Sequence, residues 1–426
     1  GLTVAEIVSR VPQGTSAICV YAAKVVADTV TKEIVKALRA KFAVPIIMLE
    51  NTQSVVAYSL KIVGKDFLAL GADYCIIGEA EYRLEALLNA IDAKKVPDVD
   101  GLLSRKDGKD VLVERKGFIE NLDALPFPAW DLFPVENYWK LGYAHGPMQG
   151  PYLPLLTSRG CPYGCKYCIV PETNTRKWRA RSAKHVVDEM AHWIRRFGIK
   201  EFHWEDLNPT IRKERMVDIS KEILARKINV KWKLVAGTKV ETMDKETIDW
   251  MAKAGCVYIS ISPESGSPAV LKLMDKPFNH AFALDMVRHM HLKGITTQAC
   301  FVLGFPGETP VDLQLTRKYM HQLAKAGIDE VSLFIMTPIP GSNKFQEVQG
   351  YETYSQLTFT PTWRKDFKAL SKFRNKLYVE FYLLKALYNP LKLALQPLWV
   401  LTKRFKTKTE MTAFRTMRLM RVMHGN

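Results

Sequence analysis

The stretch Ser158-Arg159-Gly160-Cys161-Pro162-Tyr163-Gly164-Cys165-Lys166-Tyr167-Cys168 gathers three of the chain's seven cysteines on one short loop, spaced C-x3-C-x2-C. Three thiolates fall one short of a closed tetrahedral zinc site, whose fourth Cys or His would lie close by. The next histidine is His185, inside a helical pattern. A disulfide would strand an odd thiol. It also suits small secreted domains better than a 426-residue chain in which no signal peptide is read. Three thiolates can hold a [4Fe–4S] cluster and leave one iron open to a substrate or cofactor.

Outward from this loop, strand signals recur near 154–158, 199–205, 230–236, 256–262, 296–303 and 330–336, with helical patterns between them. The clearest helix takes Ser182 as its N-cap, sets Val186, Val187, Met190, Ile194 and Phe197 on one face, and ends at Arg195, Arg196 and Gly198. Six β/α units predict a partial barrel over 151–350, with chemistry at the C-terminal ends of its strands. The cysteine loop follows the first strand, at that end.

The C-x3-C-x-aromatic-C loop resembles the cluster loop of the radical S-adenosylmethionine (SAM) enzymes. Three later turns resemble the same family: Pro263-Glu264-Ser265-Gly266-Ser267, Gly304-Phe305-Pro306-Gly307-Glu308-Thr309 and Thr337-Pro338-Ile339-Pro340-Gly341-Ser342. The resemblance implies that Cys161, Cys165 and Cys168 ligate the cluster and that SAM chelates the open iron. It implies reductive cleavage of SAM to a 5′-deoxyadenosyl radical, which abstracts hydrogen from an unactivated substrate carbon. It places SAM contacts at Tyr167, at Glu205 or Asp206, at Ser262 and Glu264, and at the backbone of Val302 and Gly304. The residues themselves leave other roles open. Asp206 or Asn208 could cap a helix, and Ser265 or Ser267 could cap the helix expected over 268–275. His203 and Trp204 read as core.

Before the barrel, residues 1–96 alternate short strands (17–21, 44–49, 73–78) with helices (24–41 and to about Ile91), which predicts a Rossmann-like parallel sheet. Only about three strands are read, and the chain opens at Gly1 rather than methionine, so this unit reads as truncated or degenerate. Residues 97–150 hold a hairpin turning at Asp107-Gly108 and the linker Leu125-Pro126-Phe127-Pro128-Ala129-Trp130-Asp131. The linker and the unit before it resemble the radical SAM class with an N-terminal cobalamin-binding domain. That class includes C-methyltransferases, a porphyrin cyclase and hopanoid enzymes. Two departures bear on cobalamin. The D-x-H-x-x-G motif that supplies a cobalt ligand is absent. Where the class has Gly-Gly, this chain reads Leu49-Glu50-Asn51-Thr52, and a Glu would crowd the contact.

The net charge of +17 points to an anionic partner. Residues 351–426 read as a basic helical region, and 376–426 carries ten Lys/Arg against Glu380 and Glu410 alone, with Pro390 and Pro397 dividing it into short helices. Basic amphipathic helices on a membrane surface and a helical cap on the barrel both fit. No apolar run is long enough to span a bilayer. Cys19, Cys75, Cys256 and Cys300 read as buried thiols of a reducing cytoplasm.

The resulting expectation is an α/β radical SAM enzyme, cytoplasmic or peripheral on the inner face of the membrane. It would act on a hydrophobic, lipid-like or natural-product substrate by C-methylation, cyclisation or rearrangement, with a flavodoxin or ferredoxin as reductant. A tRNA methylthiotransferase would need three further cysteines near the N-terminus, where only Cys19 and Cys75 stand, so nucleic acid is disfavoured. A non-catalytic cluster scaffold leaves the open iron unexplained.

Overall fold

A computed structural model describes residues 2–22, 24–142 and 144–424. The chain forms two compact units. The first comprises 1–120, 160–178 and 336–367; the second comprises 121–159, 179–335 and 368–426.

In the first unit, β1 (Ile18–Ala22), β2 (Ile46–Glu50) and β3 (Tyr74–Ile76) pair in parallel. β4 (Leu102–Lys106) and β5 (Lys109–Leu112) extend the sheet antiparallel from β3. The hairpin read as part of a linker is therefore the edge of the N-terminal sheet. Its turn is as expected: Asp107 and Gly108 both take positive φ. The helix Leu60–Ala69, missing from the sequence reading, lies between β2 and β3, with Ser59 accepting from the Lys61 amide as its N-cap. Gly64 stands in its middle because a Cβ there would come within 2.6 Å of Leu103 on β4. Cys19 corrects its reading as buried: β1 is an edge strand, and this thiol faces out. Cys75 is buried as expected.

In the second unit, β6 (Leu153–Leu155), β9 (Glu201–Trp204), β10 (Lys231–Thr238), β11 (Cys256–Glu264), β12 (Thr296–Leu303) and β13 (Glu330–Ile335) form one parallel sheet. Between β6 and β9, the two-residue strands β7 (Ser158–Arg159) and β8 (Arg179–Ala180) pair with each other. The six long strands neighbour one another in chain order, with none inserted out of turn. A doubly wound sheet would reverse direction somewhere; unbroken order is the singly wound pattern of a barrel, here of six strands. The helix Ala183–Phe197 has its Ser182 N-cap and a left-handed Gly198 at its end, as read.

The C-terminal helices are Phe367–Tyr388, Pro390–Leu401 and Lys408–His424. Pro390 does start a helix, but Pro397 does not break one: it lies inside Pro390–Leu401. Residues 425 and 426 of the tail lie outside the described residues. Several tail cations turn inward within the second unit. Lys385 donates to the Asp329 carbonyl at 2.8 Å, Lys392 pairs with the Asp329 carboxylate at 2.7 Å, and Lys408 donates to the Val235 carbonyl at 3.1 Å. No helix among the described residues is long and apolar enough to cross a membrane.

Candidate active site

The cysteine loop begins directly after β7 and lies in the first unit. Cys161, Cys165 and Cys168 are each half-buried, as is Tyr167. The Cys168 amide donates to the Cys165 carbonyl at 3.1 Å, and the Val170 amide approaches the Cys168 sulfur at 3.4 Å. Two glycines shape the loop. Gly160 has φ +81°, and a Cβ there would lie 1.9 Å from the Lys177 carbonyl oxygen. A Cβ on Gly164 would meet the Arg176 guanidinium at 1.4 Å. Gly160 therefore needs glycine, since backbone blocks a Cβ and its φ is left-handed, whereas at Gly164 the neighbour is the movable end of an arginine side chain. The flanks are tied down by side chains far away in sequence. The Gly160 amide donates to Gln53 Oε1 at 3.2 Å, Asn174 Nδ2 donates to the Thr52 carbonyl at 2.6 Å, and Arg115 Nη1 donates to the Thr173 carbonyl at 2.7 Å.

Among the described residues, no three His, Cys, Asp or Glu side chains are grouped as ligands of one metal ion. A four-iron cluster makes no such demand, because each thiolate binds a different iron. The loop suits that use: three half-buried thiolates on a backbone too tight for any Cβ at 160.

Glu50, expected to crowd a cofactor contact, is buried and turned inward. Its carboxylate accepts from the Leu60 amide at 2.7 Å and the Gly78 amide at 2.6 Å, joining the ends of β2 and β3. Burial raises its pKa against these bonds.

In the second unit the two adjacent carboxylates after β9 have different surroundings. Asp206 is buried and accepts four hydrogen bonds. Thr157 N reaches its two oxygens at 3.0 and 3.1 Å, Thr157 Oγ1 at 2.8 Å and Ser158 Oγ at 2.6 Å. It caps no helix; the next one begins at Lys213. Burial raises its pKa, while Ser158, the Arg215 charge and Thr157 oppose this. Asp206 thus clamps the two residues that lead into Arg159, Gly160 and the first cysteine.

Glu205 is half-buried and meets His145 Nδ1 at 2.7 Å. Burial disfavours its charge, but His145 outweighs it, and the carboxyl lies below its ordinary value of 4.5. A depressed carboxyl contributes stability that is complete above the unfolded value and is lost as pH falls through the folded one. The stability gap between wild type and Glu205→Gln is therefore expected to close as pH falls below about 4.5. Denaturant titrations between pH 6 and pH 3 measure this; a gap independent of pH would rule out the interaction.

Glu264 ends β11 with φ +61°, a left-handed conformation rare for a residue with a side chain. Its carboxylate pairs with buried Lys276 at 2.5 Å. Such strain at a strand end is a hallmark of functional positions. Ser267, not Ser265, caps the helix Pro268–Leu273, by accepting from the Val270 amide. Ser262 is buried against β10, where a Cβ on Gly237 would lie 2.2 Å from its Oγ. Val302 pairs with Phe334 on β13, and the Gly304 amide donates to Glu308 at 2.5 Å. His203 and Trp204 are buried as read; Tyr152 stacks on His203 at 4.2 Å between centroids. The sequence reading missed His145, Lys276, Gln53 and Asn174, because their partners lie 12 to 122 residues away in the chain.

Residues 155–320 match the model of the radical SAM superfamily. That stretch is a radical SAM domain, and the chain is an enzyme. It is similar to an uncharacterized methyltransferase of Pyrococcus horikoshii, 28% identical over 73% of this chain and 67% of that protein. It is also similar to the anaerobic magnesium-protoporphyrin IX monomethyl ester cyclase of Cereibacter sphaeroides, 27% identical over 74% of this chain and 52% of that one. The chain thus spans between about half and two thirds of these relatives' length. Among solved structures it resembles the radical SAM methyltransferase TsrM of Kitasatospora setae, determined with cobalamin and a [4Fe–4S] cluster bound. The TM-score is 0.64 at 18% identity, covering 81% of this chain and 66% of that one. The fold is that of TsrM.

Proposed function

We propose that this enzyme uses SAM at a [4Fe–4S] cluster held by Cys161, Cys165 and Cys168 to modify an unactivated carbon of a hydrophobic substrate, by C-methylation or by cyclisation or rearrangement. The observation that carries this is the glycine-shaped loop with its three half-buried thiolates. A bound, reduced cluster would supply one electron to the C5′–S bond of SAM, giving methionine and a 5′-deoxyadenosyl radical able to take hydrogen from the substrate.

The chain's own residues hold and orient. Glu205 faces the SAM ammonium; Asp206 does not share this role, because its oxygens are occupied by Thr157 and Ser158. Glu264 accepts hydrogen bonds from the ribose hydroxyls, with Lys276 fixing its carboxylate and Ser262, two residues earlier on the same strand, lining the site. Val302 and Gly304 present backbone to adenine, and Tyr167 borders the cluster. The electron comes from a reductant of the flavodoxin or ferredoxin kind.

Cobalamin is the further cofactor suggested by the likeness to TsrM and the parallel sheet of the first unit. No histidine stands in 1–120, 160–178 or 336–367, so cobalamin held there takes no imidazole ligand from that unit. Glu50 poses no obstacle, since it turns inward. Mass analysis of the anaerobically purified protein for a corrin tests this part.

Glu264→Gln keeps the shape and removes the charge. It is expected to raise the KM for SAM about tenfold, the effect of one charge-assisted hydrogen bond, with iron content unchanged. Unchanged KM would remove Glu264 from the SAM site.

A further inference from the structure

The helix Pro390–Leu401 is inside out. Its exposed residues are Pro390, Leu391, Ala394, Pro397, Leu398 and Leu401, all apolar and spaced as one helical stripe. Leu391 is 72% and Leu401 75% exposed. Its polar residues face the protein instead: Lys392 pairs with Asp329, and Gln396 donates to Glu410 at 3.0 Å. A helix facing water has the opposite arrangement.

The preceding helix changes face along its length. Its exposed positions are Lys368, Ala369, Lys372, Asn375 and Lys376 in the first half, then Val379, Leu383, Ala386, Leu387 and Tyr388 in the second. Again the cation of the second half, Lys385, is buried. After the stripe come exposed Lys403 and Arg404. The result is a patch of exposed leucines, flanked in sequence by lysines before it and by Lys403 and Arg404 after it. No Asp or Glu occurs from 381 to 409. Scattered exposed leucines are ordinary; a contiguous stripe with the polar residues withdrawn marks a covered surface.

We infer that this face, Val379 to Leu401, docks on an anionic lipid bilayer, with its leucines among the acyl chains and the flanking cations on the headgroups. The charge pattern favours this occupant. The one acid within the face, Glu380, is tied to Arg317 and His321, and cations beside such an apolar face complement anionic headgroups; short helices suffice to lie in the interface. A protein partner or a second copy would need its own acidic rim to match Lys372, Lys376, Lys403 and Arg404. This inference stands independently of the chemistry proposed above.

The test is co-sedimentation of the anaerobically purified full chain with vesicles of phosphatidylcholine alone or with phosphatidylglycerol added. The protein is expected to bind the anionic vesicles, less so at high salt. The triple variant Leu391→Ser/Leu398→Ser/Leu401→Ser should bind at least about tenfold more weakly, from the apolar area lost. Lys372→Glu/Lys376→Glu should weaken binding to anionic vesicles alone. All these side chains are exposed, and circular dichroism confirms that the variants fold. Wild-type protein that ignores anionic vesicles, or a triple variant that binds them as well as wild type, overturns the inference. So does a wild-type dimer that the triple variant abolishes in the absence of vesicle binding, which would assign the face to a second copy.

Discussion

Cys161→Ala is expected to abolish SAM cleavage, with a loss of at least about a thousandfold, set by the loss of the cluster's function rather than by a weakened contact. The three thiolates lie within eight residues, and no fourth Cys follows before Cys256. No neighbour on the loop can replace the missing ligand. Cys165→Ala and Cys168→Ala should behave alike, because each thiolate serves a different iron. The loop's shape comes from Gly160 and Gly164 and from the anchors at Gln53 and Asn174, all of which alanine at 161 leaves in place. The variant should therefore fold, with wild-type circular dichroism, and lose iron and the visible absorption of the cluster. A Cys161→Ala protein with full iron and near-wild-type turnover would mean that the cluster is elsewhere.

Asp206→Ala is expected to cost stability of about 3–5 kcal/mol, the range for removing one partner from a buried charged network. The Thr157 amide and the hydroxyls of Thr157 and Ser158 would lose their acceptor. Arg215 would lose its compensating charge. It donates to the carbonyls of Arg181 at 2.8 Å and Thr157 at 2.6 Å, and burial already lowers its pKa to about 10. Because Thr157 and Ser158 lead into the cysteine loop, iron occupancy should fall with stability. Asp206→Asn tests the account more finely. It keeps an acceptor but introduces an amide among donors, and should recover only part of the loss. Thermal unfolding with iron analysis measures both. Wild-type stability in Asp206→Ala would show that the clamp is dispensable.

The strands of both units were legible in the sequence because β-branched and apolar runs between turn residues leave little else for them to form. The cysteine loop was legible from its spacing, and the turns at Glu264 and Gly304 through their resemblance to the radical SAM family. Other features depended on contacts that spacing does not encode. Gly64 reads as a helix breaker, yet the helix Leu60–Ala69 uses it to approach Leu103. Adjacent Glu205 and Asp206 are chemically equivalent in sequence; which one is enclosed by Thr157 and Ser158 emerges only when β6 and β9 pair. Pro397 reads as an interruption, but its missing N–H is tolerated inside a helix that already has an exposed face. The tail's composition pointed to basic amphipathic helices without revealing that Lys385 and Lys392 turn inward while leucines such as Leu391 and Leu401 face out.

The most direct test of the central claim is anaerobic reconstitution with iron and sulfide, followed by SAM and a strong reductant. The account predicts the absorption of a [4Fe–4S] cluster and, on reduction, 5′-deoxyadenosine formed in the wild type and absent in Cys161→Ala. An intact cluster spectrum with no 5′-deoxyadenosine from the wild type would contradict it.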